Sequence, residues 1–158
     1  MLKRTLCLLL LPLLLFVACE RREPTMSAKE VATRLLSVIS NPDELYPADA
    51  DFAQINFTAA AACCDVQIYL ENTNGSLREV GVFRLQNDAD ATLVKNEIRE
   101  YLRDEQEAIR SLAHLYPGTA LEENLMRYET AAVEQEGSYI VYLVLGETDL
   151  VSARAALK

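Results

Sequence analysis

The chain has 158 residues, 24 of them acidic and 15 basic, for a net charge of −9. Half of it is apolar (51%), which argues against disorder. Without a basic cluster it has no means of neutralising phosphates, so nucleic acid is excluded as an expected partner, and so is flat adsorption on anionic lipid.

Lys3 and Arg4 open the chain, and Leu6 to Ala18 is then apolar, with one proline at Pro12. A positive start, a short apolar core and a small residue before a polar switch describe an export signal. The apolar run is shorter than the roughly 20 residues a bilayer span needs. It ends Phe16-Val17-Ala18-Cys19 and turns abruptly polar at Glu20-Arg21-Arg22-Glu23. This junction resembles the bacterial lipobox, matching at Val17, Ala18 and Cys19 and departing at Phe16, where an aliphatic residue is usual. The resemblance implies that residues 1–18 are a lipoprotein signal peptide and that Cys19 becomes a lipidated N-terminus. Acyl chains contribute about 0.8 kcal/mol per buried CH₂, so two or more hold a protein on the membrane without a spanning helix. Removing residues 1–18 takes away Lys3 and Arg4 and no acid. The remainder, about 140 residues, then has 13 basic against 24 acidic side chains, a net −11.

Residues 19–26 read as a lipidated tether of short reach, on the order of 15 Å. A single domain over 27–158 follows. Ser27-Ala28-Lys29-Glu30 has the form of a capping box, with Ser27 accepting from the amide of Glu30 and Glu30 reaching back to that of Ser27. Val31, Leu35, Val38 and Ile39 then line one helical face up to Asn41-Pro42. Leu45, Phe52, Ile55 and Phe57 are expected anchors in the loop that follows.

Asp65 to Glu71 alternates as a strand, Asn74-Gly75 is a hairpin turn and Leu77 to Leu85 is the return strand. A strict two-residue loop pairs Glu71 with Arg78 and sets Phe83 and Gly81 beside Val66 and Ile68; a bulge reverses the faces, and the register stays open. Asn87 to Asp90 starts a long helix carrying Val94, Ile98, Leu102, Ile109 and Leu112, which runs to His114 or breaks near Glu105. Arg103 and Glu107 are expected to pair on its polar side. Glu122 to Met126 reads as a connector, Met126 to Glu134 as a strand, and Tyr139 to Leu145 as a central strand buried on both faces. Thr148 is expected to cap a last helix through Ala156. The predicted fold is therefore α+β: an antiparallel sheet of about four strands, helices mainly on one face, in the order α-β-β-α-β-β-α.

These features together resemble a family of short lipoproteins of Clostridia-like Gram-positive bacteria, known only as a domain of unknown function. The likeness rests on the lipobox, Glu79-Val80-Gly81-Val82-Phe83 after a turn, Gln106 with Tyr116-Pro117 near the end of a long helix, and Gly137-Ser138-Tyr139 entering an apolar strand. Cys63-Cys64 and the alanine run before them depart from it. The resemblance implies an anchor and an architecture, and no activity.

No catalytic, cofactor or metal motif is present in the sequence. Cys7 lies in the signal, and Cys63 and Cys64 are adjacent, which makes a disulfide between them strained; both read as small buried residues entering a strand. His114, the one histidine, reads as a helix-end residue. Glu100, Asp104, Glu105 and Glu107 read as a solvated helix face, and Tyr46, Tyr69, Tyr116, Tyr128, Tyr139 and Tyr142 as packing. The expected role is a non-enzymatic binding or interaction module on the outer face of the cytoplasmic membrane. It is held there by Cys19 and takes an unknown protein or small ligand. The alternatives are an envelope hydrolase using carboxylates that no motif announces, or a transporter accessory subunit.

Overall fold

The computed structural model describes residues 26–49, 51–73, 75–116 and 120–158. Among these residues five antiparallel strands form one sheet in the order β1-β2-β3-β5-β4. They are β1 (Tyr46–Pro47), β2 (Cys63–Thr73), β3 (Ser76–Leu85), β4 (Ala132–Glu136) and β5 (Tyr139–Val144). Among the described residues five α-helices accompany them: α1 (Ala28–Leu36), α2 (Phe52–Asn56), α3 (Ala91–Ala113), α4 (Ala120–Glu129) and α5 (Glu147–Leu157). The α+β class and the antiparallel sheet are as expected. The fifth strand is the two-residue edge β1, too short to show a period in the sequence.

The helices lie on both faces of the sheet, rather than mainly on one. Alternation along β3 and β5 explains this. Val80, Val82, Val141 and Leu143 pack with Val31, Leu35, Leu150 and Ala153 from α1 and α5. Phe83, Ile140, Tyr142 and Val144 pack with Val94, Ile98, Leu102 and Tyr128 from α3 and α4. Strands apolar on both sides need cover on both sides, and Ile140 to Val144 are all buried. The middle strand is β3, with β5 beside it.

Local rules set several boundaries. The capping box at α1 forms as expected: Glu30 N donates to Ser27 Oγ at 3.2 Å and Ser27 N to Glu30 Oε2 at 2.7 Å. These bonds from the Ser27 amide and hydroxyl hold the Glu30 carboxyl below its ordinary range. Asp65 adds a long-range cap, accepting from Ala28 N at 2.7 Å. The helix stops at Leu36, and Val38 points outward while Ile39 stays buried. Asn41 takes a left-handed conformation (φ 46) before Pro42, a position asparagine tolerates well.

The β2–β3 hairpin adopts the strict register, with Thr73 opposite Ser76, Glu71 opposite Arg78, Ile68 opposite Gly81 and Val66 opposite Phe83. Its irregularity lies at the far end, between Cys63 and Asp65. Three expectations are corrected. The connector at Glu122–Met126 is part of α4, and β4 begins only at Ala132. Gly146, not Thr148, occupies the N-cap of α5. Arg103 pairs with Asp104 (2.9 Å) and Glu100 (3.4 Å) rather than Glu107, on an exposed surface where such pairs contribute little. The long helix α3 is unbroken through Glu105.

Candidate functional site

Two adjacent residues on the middle strand, Arg78 and Glu79, point to opposite faces, and each is the centre of a buried polar cluster. Both are buried although charged side chains seldom are.

Glu79 lies on the face covered by α3 and α4. Three tyrosines from three elements converge on its carboxylate. Tyr101 of α3 donates to Oε1 at 2.9 Å, Tyr142 of β5 donates to Oε2 at 3.0 Å, and Tyr128 of α4 donates to Oε1. Burial raises the proton affinity of the Glu79 carboxyl, and the Glu105 charge on α3 adds to this; the three hydroxyls oppose it without cancelling it. The same burial, with the Glu79 charge second, pushes the Tyr101, Tyr128 and Tyr142 hydroxyls well above their usual range. The rings pack around the cluster: Tyr142 sits edge to face with Tyr101 at 6.2 Å and tilted against Phe83 at 6.2 Å. Gly81, opposite Tyr142 on β3, makes room for that ring.

Arg78 lies on the other face, toward the loop after α1 and the start of α5. Its Nε donates to buried Glu71, its cross-strand neighbour. Its Nη1 donates to Ser40 O at 2.6 Å, and its Nη2 to Asn41 O at 3.2 Å and Glu44 Oε2 at 3.0 Å. Asp149, in the first turn of α5, stands 3.9 Å away and accepts from Ser40 N and Oγ at 3.0 and 2.9 Å. One guanidinium thus ties β2, β3 and the α1 end together, with α5 linked through Ser40.

A cleft opens beside this cluster. Its polar part, about 420 Å³, is lined by Arg78, Glu71, Asp149, Thr73 and Ser76 among others. Its apolar part, about 660 Å³, lies between α4 and α5, with Met126, Leu145, Leu150 and Val151 in its wall. Glu123, Arg127 and Gly146 line both parts, so the two are continuous. Met126 and Val151 are exposed there. Buried Asn124 fixes this edge of α4: its Oδ1 accepts from Leu77 N (2.9 Å) and its Nδ2 donates to Gly75 O (2.6 Å). Leu77 lies beyond the reach of β5, whose pairing with β3 runs from Glu79 to Arg84, so a side chain takes over its amide.

The residues singled out in the sequence fall elsewhere. Cys19, the lipidation candidate, and the signal and tether up to residue 25 lie outside the described residues, as do Pro117 and Gly118. Cys63 is half-buried, but Cys64 is exposed rather than buried, because the irregularity before Asp65 turns it outward. Both are free thiols. Burial, then the neighbouring Cys64 and Asp90, push the Cys63 thiol up to about 11. Iodoacetamide at pH 8 is therefore expected to alkylate Cys64 well before Cys63, since thiolate is the reactive form; peptide mass analysis would read the order, and equal rates would contradict it. His114 is exposed at the end of α3, and Glu100, Asp104 and Glu107 are solvated as expected. Glu105 is half-buried and faces Glu79. Among the described residues no group of three or more His, Cys, Asp or Glu side chains is arranged to hold a metal.

Tyr128 and Tyr142 are packed, as expected, but their hydroxyls have a shared partner that reading the chain missed. One clue was available: Glu79 shares its strand face with Gly81 and Phe83, an apolar side, and a buried tyrosine needs a partner for its hydroxyl. No family model, curated protein or solved structure matches the chain.

Proposed function

We propose that this chain is a lipid-anchored, non-enzymatic binding module on the outer face of the cytoplasmic membrane, a member of the short bacterial lipoproteins it resembles. Cys19 carries the anchor, and the cleft between α4 and α5 takes the ligand or partner. The observation that carries the binding role is the continuity of an apolar and an ionic wall in one open cleft, the usual make-up of a recognition site.

The position of the cleft supports the same reading. The chain enters the fold where Tyr139 OH donates to Met26 O at 2.5 Å and Asp65 caps α1. Tyr139 pairs with Arg84 at one end of β3, whereas Arg78, in the cleft, lies six residues along the same strand. At about 3.3 Å per residue the two points are roughly 20 Å apart. A tether at one end leaves the cleft at the other end clear of the bilayer. Among the described residues no helix is long and apolar enough to cross a membrane.

The hydrolase alternative needs a carboxyl of raised proton affinity at an open surface. Glu79 has the raised affinity, but it is buried and lines neither part of the cleft.

Palmitate labelling and membrane fractionation of wild type against Cys19→Ala test the anchor. Wild type is expected to label and sediment with membranes, and Cys19→Ala to do neither; a labelled, membrane-bound Cys19→Ala overturns the assignment. Release of product from cell-wall fragments by the purified domain would overturn the non-enzymatic reading.

A further inference from the structure

We propose that Glu79 and the hydroxyls of Tyr101, Tyr128 and Tyr142 form a proton-linked latch that clamps the end of α4 to the sheet. The latch is a property of the fold and stands whether or not the cleft binds a ligand.

Among the described residues, α4 has three side-chain attachments to β3 and its hairpin, from Asn124, Arg127 and Tyr128. At the middle of α4, Asn124 grips the β2–β3 hairpin through Leu77 N and Gly75 O, and Arg127 Nη1 donates to Asn124 Oδ1 and to Ser76 Oγ, each at 2.9 Å. One turn later, Tyr128 reaches the Glu79 carboxylate. Between and beside them, Glu123, Met126, Arg127 and Thr130 face the cleft. Releasing Tyr128 while Asn124 and Arg127 hold frees the last turn of α4 from the sheet and leaves its middle attached.

The groups facing Glu79 decide how protons act. From α3 come Tyr101 and the acidic Glu105, from α4 Tyr128, and from β5 Tyr142. The strand neighbours of Glu79 are Leu70 on β2 and Val144 on β5, both apolar. The basic neighbour in sequence, Arg78, is turned to the other face and held by Glu71. The carboxyl is thus surrounded by hydroxyls, apolar groups and one like charge, and the closed latch favours the protonated form. In an opened state water reaches Glu79 and its proton affinity returns to the ordinary carboxyl range. The sign follows from linkage. The group's affinity is raised in the closed state, so its support for closure is complete below the ordinary carboxyl pKa, about 4.3, and is lost as pH rises toward the closed-state value. Over that interval the closed state retains one proton that the opened state gives up, so each pH unit raises the opening equilibrium about tenfold. The latch is shut in acid and loosens toward neutral pH.

Hydrogen exchange of the full folded domain, followed by mass spectrometry between pH 4 and 8 and corrected for the intrinsic pH dependence of exchange, tests this. Residues 120–129 are expected to open up to about tenfold more per pH unit over part of that range in wild type, and to lose this dependence in Glu79→Gln. Corrected exchange in α4 that is flat with pH in wild type, or that keeps its slope in Glu79→Gln, overturns the proposal. Should Glu79→Gln fail to fold, carbon-13 titration of wild type decides: the Glu79 carboxyl is expected to titrate above the ordinary range, together with ring shifts of Tyr128. A Glu79 carboxyl titrating in the ordinary range, or without Tyr128 following it, overturns the latch.

Discussion

Gly81→Ala is expected to cost about 3 kcal/mol of stability, the upper part of the usual range for overpacking a core. A Cβ at this position would meet Tyr142 Cε1 at 1.9 Å, Cδ1 at 2.5 Å and Cζ at 2.7 Å. A side chain with free space could rotate away, but this one cannot. Tyr142 is fully buried, its ring lies among Phe57, Phe83 and Tyr101, and its hydroxyl is held by Glu79. Moving the ring disrupts the aromatic packing and breaks one of the three bonds to a buried carboxylate. Urea denaturation followed by circular dichroism measures the loss as a lower midpoint. Gly146→Ala is the control, because nothing lies within 4 Å of a Cβ there and its backbone is ordinary (φ −64). It is expected to change stability by about 0.5 kcal/mol or less. Equal effects at the two glycines would show that close packing against Tyr142 is not what requires Gly81.

Arg78→Met is expected to destabilise by about 3–5 kcal/mol, because it strands Glu71 as an unpaired buried charge. The Glu71 side chain is only 4% exposed, against 44% for Glu44, so the loss comes from the Glu71 pair and little of it from Glu44. The carbonyls of Ser40 and Asn41 also lose a donor, which loosens the turn after α1. The double variant Arg78→Met/Glu71→Met removes both charges and is expected to recover most of the loss, since replacing a buried pair by apolar groups is often close to neutral. A double-mutant cycle in the same denaturation assay gives the coupling directly. If the double variant is as unstable as the sum of the single ones, Arg78 acts through the Ser40–Asn41 turn and not through Glu71.

The two clusters differ in how far the sequence reveals them. Glu71 and Arg78 are seven residues apart across an Asn-Gly turn, and the strict two-residue loop, one of the two registers open to the sequence, sets them opposite one another. Glu79 and its tyrosines are separated by 22, 49 and 63 residues, and no local rule links positions so far apart. The fate of α4 has a similar cause. Glu122 to Met126 come soon after Tyr116-Pro117-Gly118 in the sequence, and their local pattern reads as a connector. The helix gains its stability by packing beside α3 and from the burial of Asn124 and Tyr128; its Arg110–Glu129 pair at 3.2 Å is exposed and adds little.

Local patterns in the chain are enough for the α+β class, the capping box at Ser27, the β2–β3 hairpin and the place of the apolar β5. Each depends on residues a few positions apart, where backbone geometry and period are sufficient. Tertiary structure alone decided that helices cover both faces of the sheet, that Cys64 turns outward and that Arg78 and Glu79 anchor opposite clusters. It also decided that three distant tyrosines share one carboxylate. These outcomes depend on which side chains meet once the chain has closed, and burial, acting on a charge, then makes each meeting consequential.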